Sequence, residues 1–305
     1  MHAFDELPAI LNQFPTNFRE PDHFVAYACA MASELAYYHV PEWETDDKWK
    51  RAKRVPCLGY LRNRQLKIST TLQGIRTLGE DLQIEVFETQ TVIALVIRTR
   101  GLTFLAFRGT AIGYDWMLNV RFKLDNSLHS GFYAETRRIC DLLATTNWPP
   151  NQPVVLCGHS LGGAIAATAA LLLPERHNCQ PQSTYIFGAP RLGDRMSVSR
   201  LRRAEGTIFH IRRKGDQIPN TPPKSFGYAD YPAEFDPYLR DIFMSQGRWD
   251  QDLYNWYKFG QEKAQSHFME SYRSDVGLYA KAAYKDEALV PHMKITSKTV
   301  RNTER

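Results

Sequence analysis

Apolar and polar residues follow three different spacings along the first part of the chain. Residues 21–40 have apolar positions at helical spacing with a proline near the start, which predicts an amphipathic helix. Residues 81–88 alternate apolar and polar positions, which is typical of a half-exposed strand. Residues 91–110 contain two apolar, β-branched runs joined at Arg98–Gly101, so we expect a hairpin that leads into a buried strand ending near Phe107.

From Gly131 onward, short apolar runs alternate with longer helical patterns. Strands are predicted at 153–158, 183–190 and 206–213. Helices are predicted at 131–146, 161–173, 194–205 and 249–284, and the last of these is interrupted near Gly260 or near His267. Strands that alternate with helices favour a mostly parallel sheet covered by helices on both faces. The hairpin that precedes them makes the sheet mixed.

One segment carries the strongest chemical signal, and it lies between a predicted strand and a predicted helix. Gly158–Gly162 reads GHSLG and fits the pattern G-x-S-x-G. Glycines without Cβ atoms allow a tight turn that exposes the Ser160 hydroxyl above the strand. The N–H groups that open the helix face the same point and would stabilise an oxyanion. The alternative is a glycine-rich turn with a serine N-cap.

A serine hydroxyl needs a base to take its proton, and in this fold the base follows the serine and the acid along the chain. Three histidines come after the strand predicted at 183–190: His210, His267 and His292. His210 lies inside a predicted strand, where its ring is expected to pack or pair with a neighbour, and His292 lies in a basic tail. His267 opens a helical segment and is therefore the best-placed base.

The acid that orients the base is expected where a parallel strand ends. Asp216 follows the strand at 206–213 in a Gly- and Pro-rich loop, and carboxyl ends of strands gather catalytic groups in α/β enzymes. Asp194, after the preceding strand, is a weaker rival. Three other aspartates are expected to be solvated in an irregular region: Asp230, Asp236 and Asp241.

Six motifs in order resemble those of the class 3 lipases, the fungal-type triacylglycerol lipase family of the α/β-hydrolase superfamily. They are LAFRGT, LHSGFYAE, GHSLGG, IFGAPRLGD, DQIPNTPP and HFMESY, and the resemblance extends from about residue 24 to about residue 284. It implies that Ser160 is the nucleophile, Asp216 the acid and His267 the base. It also implies an oxyanion hole formed by the Leu161 N–H together with the N–H and hydroxyl of Thr110.

The resemblance also implies a domain organisation. We expect a single α/β-hydrolase domain over residues 1–285 and a basic C-terminal tail over residues 286–305. A lid-like segment is expected at about 111–128, and an aromatic-rich insertion at about 222–250.

Composition and charge narrow the setting of the protein. The chain has 305 residues, of which 43% are hydrophobic, and a net charge of +5 with scattered basic residues, so nucleic-acid binding is not indicated. No secretory signal is recognised, and no apolar run reaches the about 18 residues that span a bilayer. The five cysteines are odd in number and widely separated, which favours reduced, mostly buried thiols. These observations predict a cytoplasmic location, with signal-less export left open.

Together the motifs predict an ester hydrolase that acts on lipid esters through an acyl-enzyme and makes transient contact with a lipid interface. Metal-ligand spacings and a phosphate-binding loop are not found, so we expect neither a metal nor a cofactor. A soluble carboxylesterase or a phospholipase A1 with the same triad is an alternative, because pocket shape sets the substrate. A non-catalytic interaction protein on the same fold is a more distant alternative. The oligomeric state is left open.

Overall fold

The computed structural model describes residues 21–39, 83–89, 92–99, 101–109, 123–148, 150–204, 207–239 and 266–283. Its strands are β1 (Gln83–Glu88), β2 (Ile93–Arg98), β3 (Thr103–Phe107), β4 (Leu124–Asp125), β5 (Leu128–His129), β6 (Val154–His159), β7 (Ser183–Phe187), β8 (Thr207–Ile211) and β9 (Glu234–Phe235). Its α-helices are α1 (His23–Leu35), α2 (Ser130–Leu143), α3 (Leu161–His177), α4 (Arg195–Arg203) and α5 (Met269–Ala283). Short 3₁₀ turns lie at Ala36–Tyr38, Ile218–Asn220 and Lys224–Phe226.

Seven of these strands form one mixed sheet in the order β1-β2-β3-β6-β7-β8-β9. The first three strands are antiparallel to one another, and from β3 onward the neighbours are parallel. The predicted hairpin and the mostly parallel sheet are therefore confirmed. In a parallel sheet the carboxyl ends of the strands meet at one edge, which brings the loops after β6, β7 and β8 close together.

Helices cover both faces of the sheet, and side chains alternate between two cores. In β3, Phe104 and Ala106 pack into the core that contains α1 and α5, whereas Leu105 and Phe107 pack into the core that contains α2 and α3. This alternation follows from the two-residue period of a strand, and burial on both faces explains why β2 and β3 are continuously apolar. The prediction of helices on both faces is confirmed.

The first helix begins and ends close to where the sequence predicts. The Asp22 carboxylate caps it by accepting hydrogen bonds from the N–H groups of Phe24 (2.8 Å) and Val25 (2.9 Å). After Leu35 the chain tightens into a 3₁₀ turn that carries Tyr37. This turn becomes important because Tyr37 reaches the functional site.

A short hairpin, β4–β5, occupies residues that the sequence assigns to the end of a lid-like segment. Leu128 is fully buried and forms a β-bridge with Gly193, and the His129 N–H donates to the Leu192 carbonyl at 2.9 Å. Residues 123–128 are thereby attached to the loop after β7. Residues 111–122 lie outside the described residues.

Several other predicted segments are described in part. The aromatic-rich insertion contains the short strand β9, and its residues 240–250 lie outside the described residues, as do residues 249–265 and the tail at 286–305. Cys29, Cys140, Cys157 and Cys179 are buried free thiols, as expected, while Cys57 falls outside the described part. Among the helices of the described ranges, none is long and apolar enough to cross a bilayer.

Candidate active site

Ser160 occupies the turn between β6 and α3 in a backbone conformation that side chains rarely adopt. Its φ is 56° and its ψ is −127°, and its N–H donates to the Phe187 carbonyl at 2.9 Å. The Ser160 hydroxyl makes no capping hydrogen bond to α3, which excludes the alternative of a simple serine N-cap. Such a strained residue at the end of a central strand is typical of a functional position.

The two glycines that flank Ser160 are required because the strand and helix backbones approach each other closely. A Cβ at Gly158 would overlap the carbonyl of Gly162, and a Cβ at Gly162 would overlap the carbonyl of Phe107 on β3. Both obstacles are backbone atoms, which cannot rotate away. The glycines therefore allow Ser160 to sit on a turn that larger residues would open.

Replacing Gly162 with alanine is expected to lower the free energy of unfolding by about 3 kcal/mol, because the added methyl group forces β3 and α3 apart. Gly101→Ala is the matched control, since among the described residues, apart from its chain neighbours, no atom lies within 4 Å of a Cβ built at that residue. The control is expected to change stability by about 1 kcal/mol or less. Urea denaturation of both variants measures the difference. Equal midpoints for the two variants would contradict the close approach.

Ser160, His267 and Asp216 form one hydrogen-bonded chain. The Nε2 atom of His267 lies 2.9 Å from Ser160 Oγ, and its Nδ1 atom lies 2.8 Å from Asp216 Oδ2. All three residues are buried, with exposed fractions of 7%, 6% and 4% in the order serine, histidine, aspartate. This is the arrangement that the motif order predicts: an imidazole lies beside the hydroxyl, and a carboxylate lies behind the imidazole.

The Asp216 carboxylate accepts hydrogen bonds at both oxygen atoms. Its Oδ1 accepts the Ile218 N–H at 3.0 Å, while its Oδ2 accepts the Tyr272 hydroxyl at 2.6 Å in addition to His267. Because Asp216 Oδ2 can only accept, the proton between Asp216 and His267 lies on His267 Nδ1. His267 Nε2 is then left to accept the serine proton. Burial and the Asp216 carboxylate raise the pKa of Tyr272 well above its usual range, so its hydroxyl remains a donor.

A second histidine, to which the sequence pattern assigns no role, holds the backbone of His267. The Nε2 atom of His159 lies 2.7 Å from the His267 carbonyl oxygen, and its Nδ1 atom lies 2.7 Å from the Tyr37 hydroxyl. Since a carbonyl only accepts, His159 donates from Nε2 and accepts the tyrosine proton at Nδ1. Burial and the neighbouring His267 lower the pKa of His159 well below its usual range, which keeps this ring neutral.

The rival candidates for acid and base serve other purposes. Asp194 caps α4 by accepting from the N–H groups of its first turn. His210 is paired with Glu234 inside the fold, as its strand position predicts. Asp230 was expected to be solvated, but it forms a largely buried ion pair with Arg191 at 2.8 Å, so that prediction is wrong. Asp241 and His292 lie outside the described residues.

The predicted oxyanion hole is described on one side only. Leu161 is the first residue of α3, and the first N–H groups of a helix have no acceptor within it, so this backbone donor faces the region beside Ser160. Thr110 lies outside the described residues. The residue before it, Gly109, passes so close to the elbow that an added Cβ would lie 2.6 Å from the His159 carbonyl oxygen.

Comparison with known proteins supports the resemblance seen in the motifs. The model of the class 3 lipase family matches residues 104–226, and this confirms the resemblance over the stretch that contains Ser160 and Asp216. The lipase of Rhizopus microsporus var. chinensis has a similar structure, with a TM-score of 0.51 at 19% identity over 82% of this chain and 78% of that one. This likeness shows that the α/β-hydrolase fold is shared.

Two curated relatives have similar sequences over part of their length. The secreted mono- and diacylglycerol lipase 1 of Fusarium solani is 28% identical over 145 residues, covering 43% of this chain and 42% of that protein. The secreted mono- and diacylglycerol lipase A of Penicillium cyclopium is 28% identical over 153 residues, covering 46% and 49%. The chain therefore matches less than half the length of these relatives.

The predicted cytoplasmic location is contradicted by these relatives. Both are named as secreted proteins, which points to an extracellular rather than a cytoplasmic location. The prediction rests on the wide separation of the cysteines and on the absence of a recognisable secretory signal. Buried thiols behave as small apolar side chains in any compartment, so they do not report the location.

Proposed function

We propose, on the basis of the resemblance of residues 104–226 to the class 3 lipases, that this protein is a serine ester hydrolase that acts on acylglycerols. The observation that carries the proposal is the hydrogen-bonded chain from Ser160 through His267 to Asp216. It lies at the carboxyl edge of the sheet, where three loops meet. A non-catalytic scaffold has no need for a strained serine whose hydroxyl is bonded only to a histidine ring nitrogen in the described residues.

The geometry supports an acyl-enzyme mechanism. His267 Nε2 takes the proton of Ser160 as the hydroxyl attacks the ester carbonyl, and Asp216 stabilises the imidazolium that forms. The Leu161 N–H, with Thr110 as its proposed partner, donates to the oxyanion, and each such donor contributes about 3 kcal/mol in comparable sites. His267 then protonates the leaving alcohol and activates a water molecule that releases the fatty acid.

Acylglycerols are proposed as the substrates because the relatives in the comparison are named as mono- and diacylglycerol lipases. Purified protein should be given monoolein, diolein, triolein, phosphatidylcholine and a chain-length series of p-nitrophenyl esters. Release of oleate from the neutral glycerides supports the proposal. Hydrolysis of only soluble short-chain esters would make the protein a carboxylesterase, and release of fatty acid from phosphatidylcholine alone would make it a phospholipase.

A serine-directed fluorophosphonate tests catalytic competence without any assumption about the substrate. We expect one phosphonate per chain, attached to Ser160, because only an activated serine reacts quickly with this reagent. Ser183→Ala serves as the control that leaves labelling intact, since Ser183 is a buried serine on β7. Labelling that persists in Ser160→Ala, or that is absent from the native protein, would overturn the proposal.

We also propose that activity rises at a lipid surface. Ser160 is only 7% exposed, so its hydroxyl is covered by neighbouring residues, and exposing apolar covering residues to water costs about 25 cal/mol per Å². A lipid surface removes that cost and shifts the population toward an open form. The rate on tributyrin should therefore increase abruptly where the substrate passes its solubility limit. A smooth hyperbola through that limit would contradict the proposal.

A further inference from the structure

A second buried polar network lies beside the Asp216 loop, and the triad does not use it. Its centre is Glu234 on β9, whose exposed fraction is 1%. Glu234 Oε2 accepts from Arg212 at 2.8 Å, and its Oε1 lies 3.2 Å from His210 Nδ1. A donor on β8, His210, and a donor just after its end, Arg212, therefore converge on one buried carboxylate of the neighbouring strand.

One arm of this network leads into the loop that carries Asp216. The second terminal nitrogen of Arg212 donates to the side-chain oxygen of Asn220 at 2.7 Å. The Asn220 amide in turn donates to the side-chain oxygen of Gln217 at 2.8 Å. Gln217 directly follows Asp216, so Arg212 supports the loop one residue away from the acid.

The other arm leads to the turn after β7. The Ala189 N–H donates to His210 Nε2 at 3.2 Å, so the proton of His210 lies on Nδ1 and is donated to Glu234. Ala189 follows Gly188, which has a φ of 55° and faces the acid so closely that an added Cβ would lie 2.6 Å from Asp216 Oδ2. His210 thus holds the turn that closes over the Asp216 carboxylate.

We propose that Glu234 is a positioning residue for the triad. It fixes Asp216 by holding Arg212, which supports the loop after Asp216, and His210, which supports the turn that closes over the Asp216 carboxylate. The inference rests on the proposed hydrolase function. It assigns a purpose to a glutamate in the aromatic-rich insertion, a segment that the sequence analysis linked to no chemical step.

The protonation states required by this arrangement agree with the surroundings of both groups. Burial raises the pKa of Glu234, but the hydrogen bond from His210 and the hydrogen bond and charge of the Arg212 guanidinium outweigh burial and lower the pKa. Burial lowers the pKa of His210, against the hydrogen bond to Glu234; Arg212, Asp216 and the ring of Tyr231 also face this imidazole. Near neutral pH the pair is therefore a carboxylate and a neutral imidazole.

Glu234→Gln is the most informative variant. An amide has one accepting and one donating end, so it satisfies Arg212 only if its NH₂ group points at the donating Nδ1 of His210. One of the two arms must therefore break, and Asp216 loses part of its support. We expect kcat per titrated active site to fall about 10- to 100-fold, as a misplacement of about 1 Å does, with KM changed less than about twofold.

The pH profile separates positioning from mere stability. A less well placed Asp216 carboxylate stabilises the His267 imidazolium less, so the acid limb of kcat/KM should move to lower pH. Active sites are counted with the fluorophosphonate, so unfolded protein does not enter the rate. Leu143→Ala, in the core of α2, is the control that lowers stability without touching the loop, and its rate per site and acid limb should be unchanged.

Asn220→Ala keeps the test open if Glu234→Gln does not fold. This variant removes only the loop-side arm, and it should shift the acid limb in the same direction by a smaller amount. Combined with Glu234→Gln it should be less than additive, because the two residues act on the same loop. The inference is overturned if either folded variant keeps the native rate per titrated site and the native acid limb. If the native protein showed neither fluorophosphonate labelling nor esterase activity, the proposed hydrolase function itself would be refuted.

Discussion

Ser160→Ala is expected to lower kcat for ester hydrolysis by about 10⁴- to 10⁶-fold while the fold is retained. The reason is that, in the described residues, the Ser160 hydroxyl is the hydrogen-bond partner of His267 Nε2, at 2.9 Å. The acyl-enzyme cannot form without this hydroxyl. Alanine is smaller than serine and leaves no buried charge. It also meets the same strain at a φ of 56°, so the backbone of the elbow has no new reason to change.

The measurement is the initial rate of p-nitrophenyl ester hydrolysis with purified protein, together with the thermal midpoint. Ser183→Ala is the matched control, because its hydroxyl is also buried but has no hydrogen-bond partner in the described residues. Removing that hydroxyl should leave the rate unchanged and should not lower the midpoint. If Ser160→Ala retained a rate near that of the native protein, the elbow would not be the site of chemistry.

The sequence was sufficient to predict where Ser160, Asp216 and His267 lie, because their placement depends on neighbouring residues and on the order of the motifs along the chain. Ser160 lies between a strand and a helix that the hydrophobic pattern predicts, and its backbone is dictated by glycines close to it in sequence. Asp216 and His267 follow in the order that this fold imposes. The structure brings all three together across more than 100 residues of chain, as the hydrogen bond between residues 160 and 267 demonstrates.

The supporting residues were not predictable, because their partners are distant in sequence and carry no periodic signal. His159 looks like an ordinary motif residue until the Tyr37 hydroxyl and the His267 carbonyl are placed on either side of its ring. Glu234 lies on a strand of two residues, which is too short to show alternation. Its importance emerges only when β9 pairs with β8 and brings Arg212 and His210 to its carboxylate.

The same reasoning explains why Asp230 was misjudged. An aspartate in an irregular, polar segment is usually solvated, and nothing nearby in sequence provides a partner. In the fold, Arg191 lies 2.8 Å away and also donates to the carbonyls of Asn220 and Pro222. Asp230 therefore holds an arginine that braces the far end of the acid loop. Buried arginines with several acceptors often play this part, because their planar group satisfies several partners at once.

Asp216→Asn is expected to lower kcat by about 10³- to 10⁴-fold, through the wrong tautomer of His267 rather than through loss of structure. With the side-chain oxygen of asparagine held by the Ile218 N–H, the amide nitrogen would face His267 Nδ1 and the Tyr272 hydroxyl, which can accept as well as donate. That nitrogen donates, so Nδ1 would have to accept and the ring proton would move to Nε2. A protonated Nε2 cannot take the proton of Ser160, and the base is lost although every atom remains close to its place.

Asp194→Asn is the control that gives this prediction its force, since Asp194 was the rival candidate for the acid. Asparagine caps a helix about as well as aspartate, so α4 should keep its first turn and the rate should stay close to native. The two variants remove the same charge from two loops at the same edge of the sheet. A large loss in both would indicate that the net charge at this edge matters, whereas a large loss in Asp194→Asn alone would move the acid to the other loop. A loss confined to Asp216→Asn identifies the carboxylate that orients His267, because only that carboxylate requires the ring proton to stay on Nδ1.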